Sequence, residues 1–464
     1  MAAMMIIPLV ADLYIGHGDW KIFFLCMLLT FFFSGILILT NRGSEMKISP
    51  RQGFVMINLA WLLLSLFGAL PFWLSGLNIR FVDAFFESVS GITTTGSTVF
   101  TGLDDMPRGI LLWRSLLQWL GGVGVILMAM SIMPFLKIGG MQMFQTELSE
   151  SEKALPRTTQ LASSIGIIYL ILTLLCFVAY DLAGFAPFDA LCHALTTIST
   201  GGFSTHDSSF SGHDNVRIEL VAILFMIAGG TPFVLFLKAA RGNWRPFLRD
   251  SQFRWFLSIV LAATFLLTIY LVLTTPMPLD RVLLKSTFNI VSLLTGTGFT
   301  SDNYGLWGGF AVFAFFFIMV IGACAGSTSC GIKIFRFQVL YAVANAQVRK
   351  LIQPHGVFIP YYNGKPIPEG VPISVMSFFF LFAVCFSILA LLLALTGLDF
   401  LTAMSGAATA IANVGPGLGE IIGPVGTFQP LPDSAKWVLC AGMLLGRLEI
   451  FTLLVMLSPH FWRR

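Results

Sequence analysis

Four short polar segments, rich in glycine, threonine and serine, contain the residues of this sequence best suited to bind a metal cation. They read SGITTTGST (90–98), TTISTGGFST (196–205), LLTGTGFTS (293–301) and AIANVGPGL (410–418). Their hydroxyl and backbone carbonyl oxygens carry no net charge, and glycine permits the positive φ angles that turn successive carbonyls to one side. Rings of such oxygens can replace the hydration shell of a monovalent cation. The segments therefore predict a pathway for such an ion.

The four segments recur along the chain at similar intervals. Their aligned glycines, Gly96, Gly202, Gly298 and Gly415, are separated by 106, 96 and 117 residues. A repeating unit of about 100 residues suits two membrane-spanning helices with a short re-entrant segment between them. A single glycine-rich turn between apolar helices is usually only a tight loop, but four in register favour one shared pore.

A partly apolar stretch of about three helical turns precedes each of these glycines. Such a stretch is too short to cross a hydrocarbon core of about 30 Å. We therefore expect each helix to enter and leave on one side, with the negative end of its dipole toward the membrane centre. Each stretch has an aspartate near its start that is expected to be the helix N-cap. These are Asp83, Asp189, Asp280 and Asp399.

The composition of the chain indicates a membrane protein. Of its 464 residues, 56% are hydrophobic and 11% are charged, against roughly 25% charged residues in soluble domains. Soluble, disordered, collagen-like and disulfide-stapled proteins are excluded, and a net charge of +4 is too diffuse for a nucleic-acid partner. Nine apolar stretches are strong candidates to span a bilayer. They are 21–40, 53–75, 109–136, 161–184, 216–240, 255–275, 307–324, 372–395 and 435–458.

Residues 1–16 are apolar but short, and we interpret them as a first, incomplete helix, which gives ten spans. Lysine and arginine then decide the orientation of the chain. With the loop after 21–40 on the cytoplasmic side, that side carries 18 Lys and Arg and the other side carries 8. This positive-inside bias predicts that both termini are cytoplasmic.

Several motifs resemble the Trk/Ktr/HKT family of potassium transporters, and its bacterial TrkH/TrkG branch most of all. They are SGITTTGST, GGFSTHD, GGMQMFQTE (139–147), GACAGSTSCGIKIFR, NVGPGLG and GRLEIFTLL. The resemblance implies an all-α polytopic membrane protein with four membrane–pore-loop–membrane repeats around a pseudo-fourfold pore, preceded by two extra transmembrane helices. The implied units are 1–40 for those two helices, then pore repeats 41–137, 138–240, 241–345 and 346–464, the third with an intramembrane gate loop.

The resemblance also implies a selectivity filter that binds potassium. In this sequence its residues are Thr93, Thr94, Thr95, Gly96, Ser199, Thr200, Gly201, Gly202, Thr295, Gly296, Thr297, Gly298, Asn413, Val414 and Gly415, with Ala412 completing the fourth segment. In relatives of the HKT group, a serine at the first filter glycine goes with sodium transport. All four positions are glycine here, which favours potassium.

A gate below the filter is implied by the same resemblance. Its residues are Gly326, Ser327, Thr328, Ser329 and Gly331, together with Arg447. The family often has STGGG in this loop, whereas this chain reads STSCG, with two glycines replaced. Arg447 lies in the middle of 435–458, where an arginine usually faces a cavity or a partner. Arg447 is expected to restrain ion flow. The alternative is a structural ion pair with another helix, since Glu449 lies on the opposite helix face and is a poor direct partner.

The implied function is potassium uptake across the bacterial inner membrane, regulated by a TrkA-like cytosolic nucleotide-binding protein on a homodimer of this chain. No cofactor is expected, and potassium is the substrate. An alternative is a KtrB-like sodium-dependent transporter or a sodium-conducting one, although the two leading helices argue against KtrB. A membrane enzyme would need clustered His, Cys or carboxylates within the spans, and the sequence has no such set. Channel-like and ion-coupled symport mechanisms both stay open.

Overall fold

The computed structural model describes residues 1–40, 49–131, 158–213 and 215–463. Six helices in these ranges are long and apolar enough to cross a bilayer. They are Trp20–Thr40, Pro50–Leu74, Arg108–Ser131, Thr158–Ala183, Ser251–Thr274 and Gly370–Leu395. The TrkH-like segment 139–147 and the predicted boundary between 137 and 138 lie outside the described residues.

Two further spans are broken rather than continuous. Val216–Gly230 and Phe233–Ala240 meet at an angle of 96°, and Asp433–Arg447 and Phe451–Leu457 meet at 113°. The predicted span 307–324 contains a helix only over Gly309–Ile318, and regular helix resumes at Ile334–Ile352. The chain therefore leaves helical geometry in the interior of three spans, which is tolerated at membrane depth only where the backbone is buried in protein or lines a cavity.

Four short helices are buried among these spans at the places predicted from the sequence. We call them short helices 1 to 4, in chain order: Phe81–Ile92, Pro187–Ile198, Leu279–Thr295 and Phe400–Ala412. The third has 17 residues and is longer than expected, whereas the others have 12, 12 and 13. Their C-terminal halves are almost fully buried, so all four end inside the molecule.

The predicted N-caps are correct for one of the four short helices. The carboxylate of Asp399 accepts a hydrogen bond from the backbone N–H of Thr402 at 3.1 Å. Asp83 and Asp189 lie within the first turn instead, because short helices 1 and 2 begin earlier than predicted, the second at Pro187. Asp280 is likewise inside its helix. Proline is favoured at the first helical position, since its missing N–H has no partner there.

Each short helix is followed by a span that we call inner helix 1 to 4: Arg108–Ser131, Val216–Gly230, Gly309–Ile318 and Asp433–Arg447. Gly121 and Gly446 on inner helices 1 and 4 touch the ends of short helices 1 and 4. A Cβ atom on either glycine would lie under 3.0 Å from the carbonyl oxygen of Ile92 or Ile411. Glycine therefore allows the inner helix backbone to approach the end of the short helix.

The N-terminal segment consists of a 3-10 turn over Ala2–Met5 and a helix over Ile6–Ile15. Asp12 of this helix is fully buried and accepts a 2.8 Å hydrogen bond from the backbone N–H of Gly109, at the start of inner helix 1. The remaining elements are short. They are the helices Leu103–Asp105, Arg245–Arg249, Tyr304–Leu306 and Pro459–Trp462, and a hairpin of Tyr361–Tyr362 with Lys365–Pro366.

Candidate ion pathway

The four predicted segments share one backbone conformation. We call them glycine loops 1 to 4, at 93–96, 199–202, 295–298 and 412–415. In each loop the second and the fourth residue have positive φ, and the fourth is always glycine. The second residues are Thr94, Thr200, Gly296 and Asn413, with φ of 52°, 49°, 72° and 53°. Positive φ is rare for a β-branched residue such as threonine. Its occurrence at equivalent positions of the loops therefore indicates a structural repeat.

The loops contact one another in a closed order. A Cβ atom on the final glycine of each loop would lie under 3.0 Å from the carbonyl oxygen of the third residue in the next loop, and loop 4 returns to loop 1. The four pairs, glycine first, are Gly96 and Gly201, Gly202 and Thr297, Gly298 and Val414, and Gly415 and Thr95. The loops thus form a ring in which any side chain at the fourth position overlaps a neighbouring carbonyl.

Buried polar side chains of the short helices form hydrogen bonds to the chain segments that follow the glycine loops. Glu87, His193 and Asn289 each lie nine residues before the final glycine of their loop, and all are fully buried. Glu87 accepts from the backbone N–H of Val99 at 3.0 Å, and His193 shares a 3.0 Å hydrogen bond with the Ser204 hydroxyl. Asn289 bonds to Ser301 in the same way, through its Nδ2 at 3.0 Å. Each short helix of this set therefore holds the chain that leaves its own loop.

A buried ion pair links short helix 1 to the chain segment that follows glycine loop 2. The guanidinium Nε of Arg114 lies 2.8 Å from Oε1 of Glu87, and both side chains are almost fully buried. The Nη1 of Arg114 also donates to the carbonyl oxygen of Ser204 at 2.9 Å, just beyond glycine loop 2. Pairing with hydrogen bonds on both partners is the condition under which such charges are tolerated in an interior.

Two cavities lie at the ring and at the predicted gate loop. The first, of about 70 Å³, is lined by all four final glycines and by polar residues that include Ser97, His206 and Asp207. The second, of about 30 Å³, lies toward the broken ends of the inner helices and is lined by gate residues together with Arg447. Since one water needs at least about 10–15 Å³ of such volume, the second cavity has room for only two or three waters.

The predicted gate loop lies directly against the ring. The hydroxyl of Thr328 donates to the carbonyl oxygen of Ile198 at 3.1 Å and accepts from the hydroxyl of Thr200 at 3.1 Å. The carbonyl oxygen of Gly326 accepts from the N–H of Phe233 at 2.9 Å, at the break after inner helix 2. Hydrogen bonds between residues far apart in the sequence therefore hold this non-helical segment against glycine loop 2.

Arg447 contacts backbone carbonyls rather than carboxylates. Its Nη2 donates to the carbonyl oxygen of Gly121 at 2.7 Å, and its Nη1 donates to Thr328 at 3.4 Å and to the sulfur of Cys330. Within the described ranges no acidic side chain forms an ion pair with it, and Glu449 pairs with Arg336 instead. The positive charge of Arg447 therefore lies between the gate loop and inner helix 1, on the wall of the smaller cavity.

Comparison with known proteins decides the family. A family model described as a cation transport protein, TrkH, matches residues 20–464. This chain belongs to the TrkH family. The Trk system potassium uptake protein TrkI of Halomonas elongata is 45% identical over 100% of this chain and 94% of that protein. TrkH of Vibrio parahaemolyticus is 40% identical over 91% of this chain and 88% of that protein.

A solved structure agrees with the fold. The crystal structure of the potassium transporter TrkH from Vibrio parahaemolyticus matches with a TM-score of 0.91 at 36% identity, covering 100% of this chain and 96% of that one. The predicted resemblance and the helical, polytopic membrane fold are thereby confirmed. As a TrkH-family member this chain is a multi-pass inner-membrane protein, and potassium fits as its transported substrate; its relatives are named for transport, not for catalysis.

The residues predicted for this TrkH-family chain fall into two groups in space. Every predicted filter residue lies in one of the four glycine loops, which meet in the ring. Of the gate residues, Gly326, Ser327, Ser329 and Gly331 line the smaller cavity with Arg447, and Thr328 contacts glycine loop 2. The two groups are in contact through Thr328, which bonds to Thr200 and Ile198.

Sequence reasoning missed several residues that shape the TrkH-family ring. Among them are Gln118, which bonds to glycine loop 2, and Arg114, which forms the buried ion pair with Glu87. One signal would have found Gln118. The inner helices carry a repeated pattern of Gln or Met three residues before glycine: QWLG, MIAG, MVIG and MLLG, ending at Gly121, Gly229, Gly322 and Gly446.

Proposed function

We propose that this protein takes up potassium through the ring of glycine loops. The oxygens of Thr93, Thr94, Thr95, Gly96, Ser199, Thr200, Gly201, Gly202, Thr295, Gly296, Thr297, Gly298, Asn413, Val414 and Gly415 bind the ion. The observation that carries the proposal is the closed order of contacts between four loops that have positive φ at the same two positions, with a cavity lined by all four final glycines. Such a ring of neutral oxygens suits a dehydrated monovalent cation.

The short helices support the same proposal electrostatically. All four end at the glycine loops, so their C-terminal carbonyl groups are directed toward the ring. Each helix terminus contributes a partial negative charge of roughly half an elementary charge. Four such ends around one axis stabilise a cation there without a side-chain carboxylate, which would bind it too firmly to release.

Ion flow is then restrained on the side of the smaller cavity. Gly326, Ser327, Thr328, Ser329 and Gly331 act as a gate that narrows the path, and Arg447 places a fixed positive charge beside it. The volume of about 30 Å³ and the hydrogen bonds to glycine loop 2 support this assignment. Opening requires the loop to leave the carbonyl of Ile198 and the hydroxyl of Thr200.

Regulation and assembly follow from the family. We propose a homodimer that binds a TrkA-like cytosolic nucleotide-binding protein, with both termini cytoplasmic. The units remain the proposed 1–40, 41–137, 138–240, 241–345 and 346–464. Support comes from the relatives' names, which describe a Trk system, and from Arg349 and Lys350 in the last turn of Ile334–Ile352. The same basic residues are also expected from the positive-inside bias alone.

Complementation tests the proposed function. A bacterium that lacks potassium uptake is supplied with this gene and grown at low potassium, and rubidium and sodium fluxes are measured in parallel. Restored growth with rubidium flux that exceeds sodium flux is expected. Growth restored only when sodium is present, or a sodium flux equal to the rubidium flux, contradicts the proposal and favours the KtrB-like or sodium-conducting alternative.

A further inference from the structure

Glycine loop 2 differs from the other three loops at its third residue. That residue is Gly201, whereas the equivalent residues are Thr95, Thr297 and Val414, all β-branched. β-Branched side chains restrict the backbone and pack against their neighbours, while glycine does neither. The carbonyl oxygen of this third residue is the one that faces the final glycine of the preceding loop in the ring. Loop 2 therefore lacks the local stiffness that its three counterparts have at the same point.

Gln118 of inner helix 1 occupies the space next to Gly201. Its side chain is fully buried. Its Nε2 donates to the carbonyl oxygen of Gly201 at 2.6 Å, and its Oε1 accepts from the backbone N–H of Phe203 at 3.0 Å. The two bonds lie on either side of Gly202. A Cβ atom on Gly201 would lie under 3.0 Å from Gln118, so the two side chains exclude each other.

The other three repeats have methionine at the equivalent sequence position, in inner helices 2 and 4 and directly after inner helix 3. Met226, Met319 and Met443 each lie three residues before the patterned glycine and are fully buried, as Gln118 is. Methionine has no hydrogen-bond donor for a carbonyl. Loop 2 thus combines glycine with glutamine, where the other three loops combine a β-branched residue with methionine.

We propose that Gln118 is a positioning residue for potassium selectivity, which replaces from a neighbouring helix the rigidity that Gly201 does not supply. The inference rests on the proposed function of the glycine loops as a filter. A carbonyl oxygen has two lone pairs, so the bond from Gln118 leaves one for the ion. Without that bond the peptide between Gly201 and Gly202 turns more freely, and the ring loses one fixed oxygen.

The backbone of Gly201 does not itself require glycine. Its φ is outside the left-handed region, unlike those of Thr200 and Gly202 on either side. The φ of Gly201 therefore tolerates threonine, and replacement of Gln118 by methionine removes two of the three close contacts, those with Cδ and Oε1. The third contact, with the Cβ atom of residue 118, is relieved by a small shift of the backbone. Methionine is flexible and adapts to irregular space.

Exchange of both residues for those of the other repeats tests the coupling. Q118M, G201T and the double variant Q118M/G201T are reconstituted in liposomes, and rubidium and sodium fluxes are measured per inserted protein. We expect the ratio of rubidium flux to sodium flux to fall about three- to tenfold in Q118M, since a net hydrogen bond is worth about 0.5–1.5 kcal/mol. In G201T the flux ratio should fall at least as far, because the threonine side chain overlaps Gln118. The double variant should return to within about twofold of wild type.

Two controls separate this inference from its premise. Met226→Leu changes the equivalent buried position on inner helix 2 without a polar contact and should keep the wild-type ratio. Gly202→Ser tests the filter itself. A changed ratio in Gly202→Ser with a wild-type ratio in Q118M overturns the role of Gln118 and leaves the filter intact. A wild-type ratio in Gly202→Ser contradicts the filter.

The double variant also decides the case in which a single variant fails to insert. Normal abundance and selectivity of Q118M/G201T, with either single variant poorly inserted or unselective, support the coupling. A double variant that is no better than the worse single variant overturns it. Reduced abundance of Q118M with an unchanged flux ratio per molecule means that Gln118 is only a structural residue.

Discussion

Ser97 and Gly415 are 318 positions apart in the chain, and the hydroxyl of Ser97 donates a 2.7 Å hydrogen bond to the carbonyl oxygen of Gly415. A second bond, from Nδ2 of Asn413 to the hydroxyl of Thr95 at 2.9 Å, lies beside it. Both join glycine loop 1 to glycine loop 4. Hydrogen bonds therefore close the ring at the one seam where the chain does not run directly from one loop to the next.

Removal of the Ser97 hydroxyl should loosen that seam. We expect Ser97→Ala to lower the ratio of rubidium to sodium flux by a factor of about two to ten, because one net hydrogen bond is worth about 0.5–1.5 kcal/mol. Ser97→Thr keeps the hydroxyl and serves as the matched control. The seam has no influence on selectivity if Ser97→Ala and Asn413→Ala both keep the wild-type ratio at normal abundance.

Neutralisation of Arg447 should speed ion movement. A guanidinium beside the path repels cations by on the order of 1–3 kcal/mol at an effective dielectric constant near 20, which corresponds to roughly tenfold in rate per 1.4 kcal/mol. Arg447→Gln is expected to conduct about ten times faster, and Arg447→Lys, which keeps the charge, to stay near wild type. Flux per inserted molecule checks this.

The opposite pattern has a different meaning. Arg447 also donates to Gly121 and Thr328 and so ties three segments together. Low abundance of Arg447→Gln with an unchanged flux per molecule would show that these contacts, and not the charge, are its contribution.

The gate loop should open more easily when its contacts to the ring are removed. Thr328→Val retains the shape of the side chain but loses the hydroxyl bonds to Ile198, Gly229 and Thr200. Flux without the cytosolic regulator is expected to rise about two- to tenfold, from the loss of one or two net hydrogen bonds. Thr264→Val is the matched control, since it makes the same change at a buried threonine of Ser251–Thr274 whose hydroxyl has no hydrogen-bond partner among the described residues. Equal basal flux in both variants and wild type speaks against this gate.

Much of this architecture could be predicted from local sequence. Long apolar stretches determine the spans through the cost of exposing polar backbone to lipid, and the glycine loops combine residues that tolerate positive φ with uncharged oxygens. The break after inner helix 2 also has a local cause in Pro232, which cannot continue a helix.

Other features depend on contacts between distant parts of the chain. The break after inner helix 4 contains Glu449 and Ile450, which both have positive φ although neither is glycine. Glu449 pairs there with Arg336. Nothing in GRLEIF resembles a helix stop. The partnership of Gln118 with Gly201 is equally invisible locally, because the two residues are 83 positions apart.

His213, which packs against Phe185 and His206 after short helix 2, should make the protein sensitive to acid. Burial lowers the pKa of His213 below its ordinary value of 6.5. The unfolded chain then takes up a proton that the folded chain resists, so this contribution to stability is present above pH 6.5 and is lost as the pH falls from there toward the folded pKa. Between about pH 7.5 and about pH 5.5, the melting temperature of wild type should fall further than that of His213→Asn. Identical pH dependence in the two proteins would contradict this account.

Substitution of the four final glycines tests the central claim most directly. Gly96→Ser, Gly202→Ser, Gly298→Ser and Gly415→Ser each place a side chain against a carbonyl of the next loop, at a backbone conformation that L residues rarely adopt. Rubidium and sodium fluxes are measured in liposomes, per inserted molecule, for wild type and all four variants. The account predicts that wild type strongly prefers rubidium and that the flux ratio falls at least about tenfold in the glycine variants. Unchanged discrimination in all four, at normal abundance, would contradict the assignment of the ring as the potassium filter.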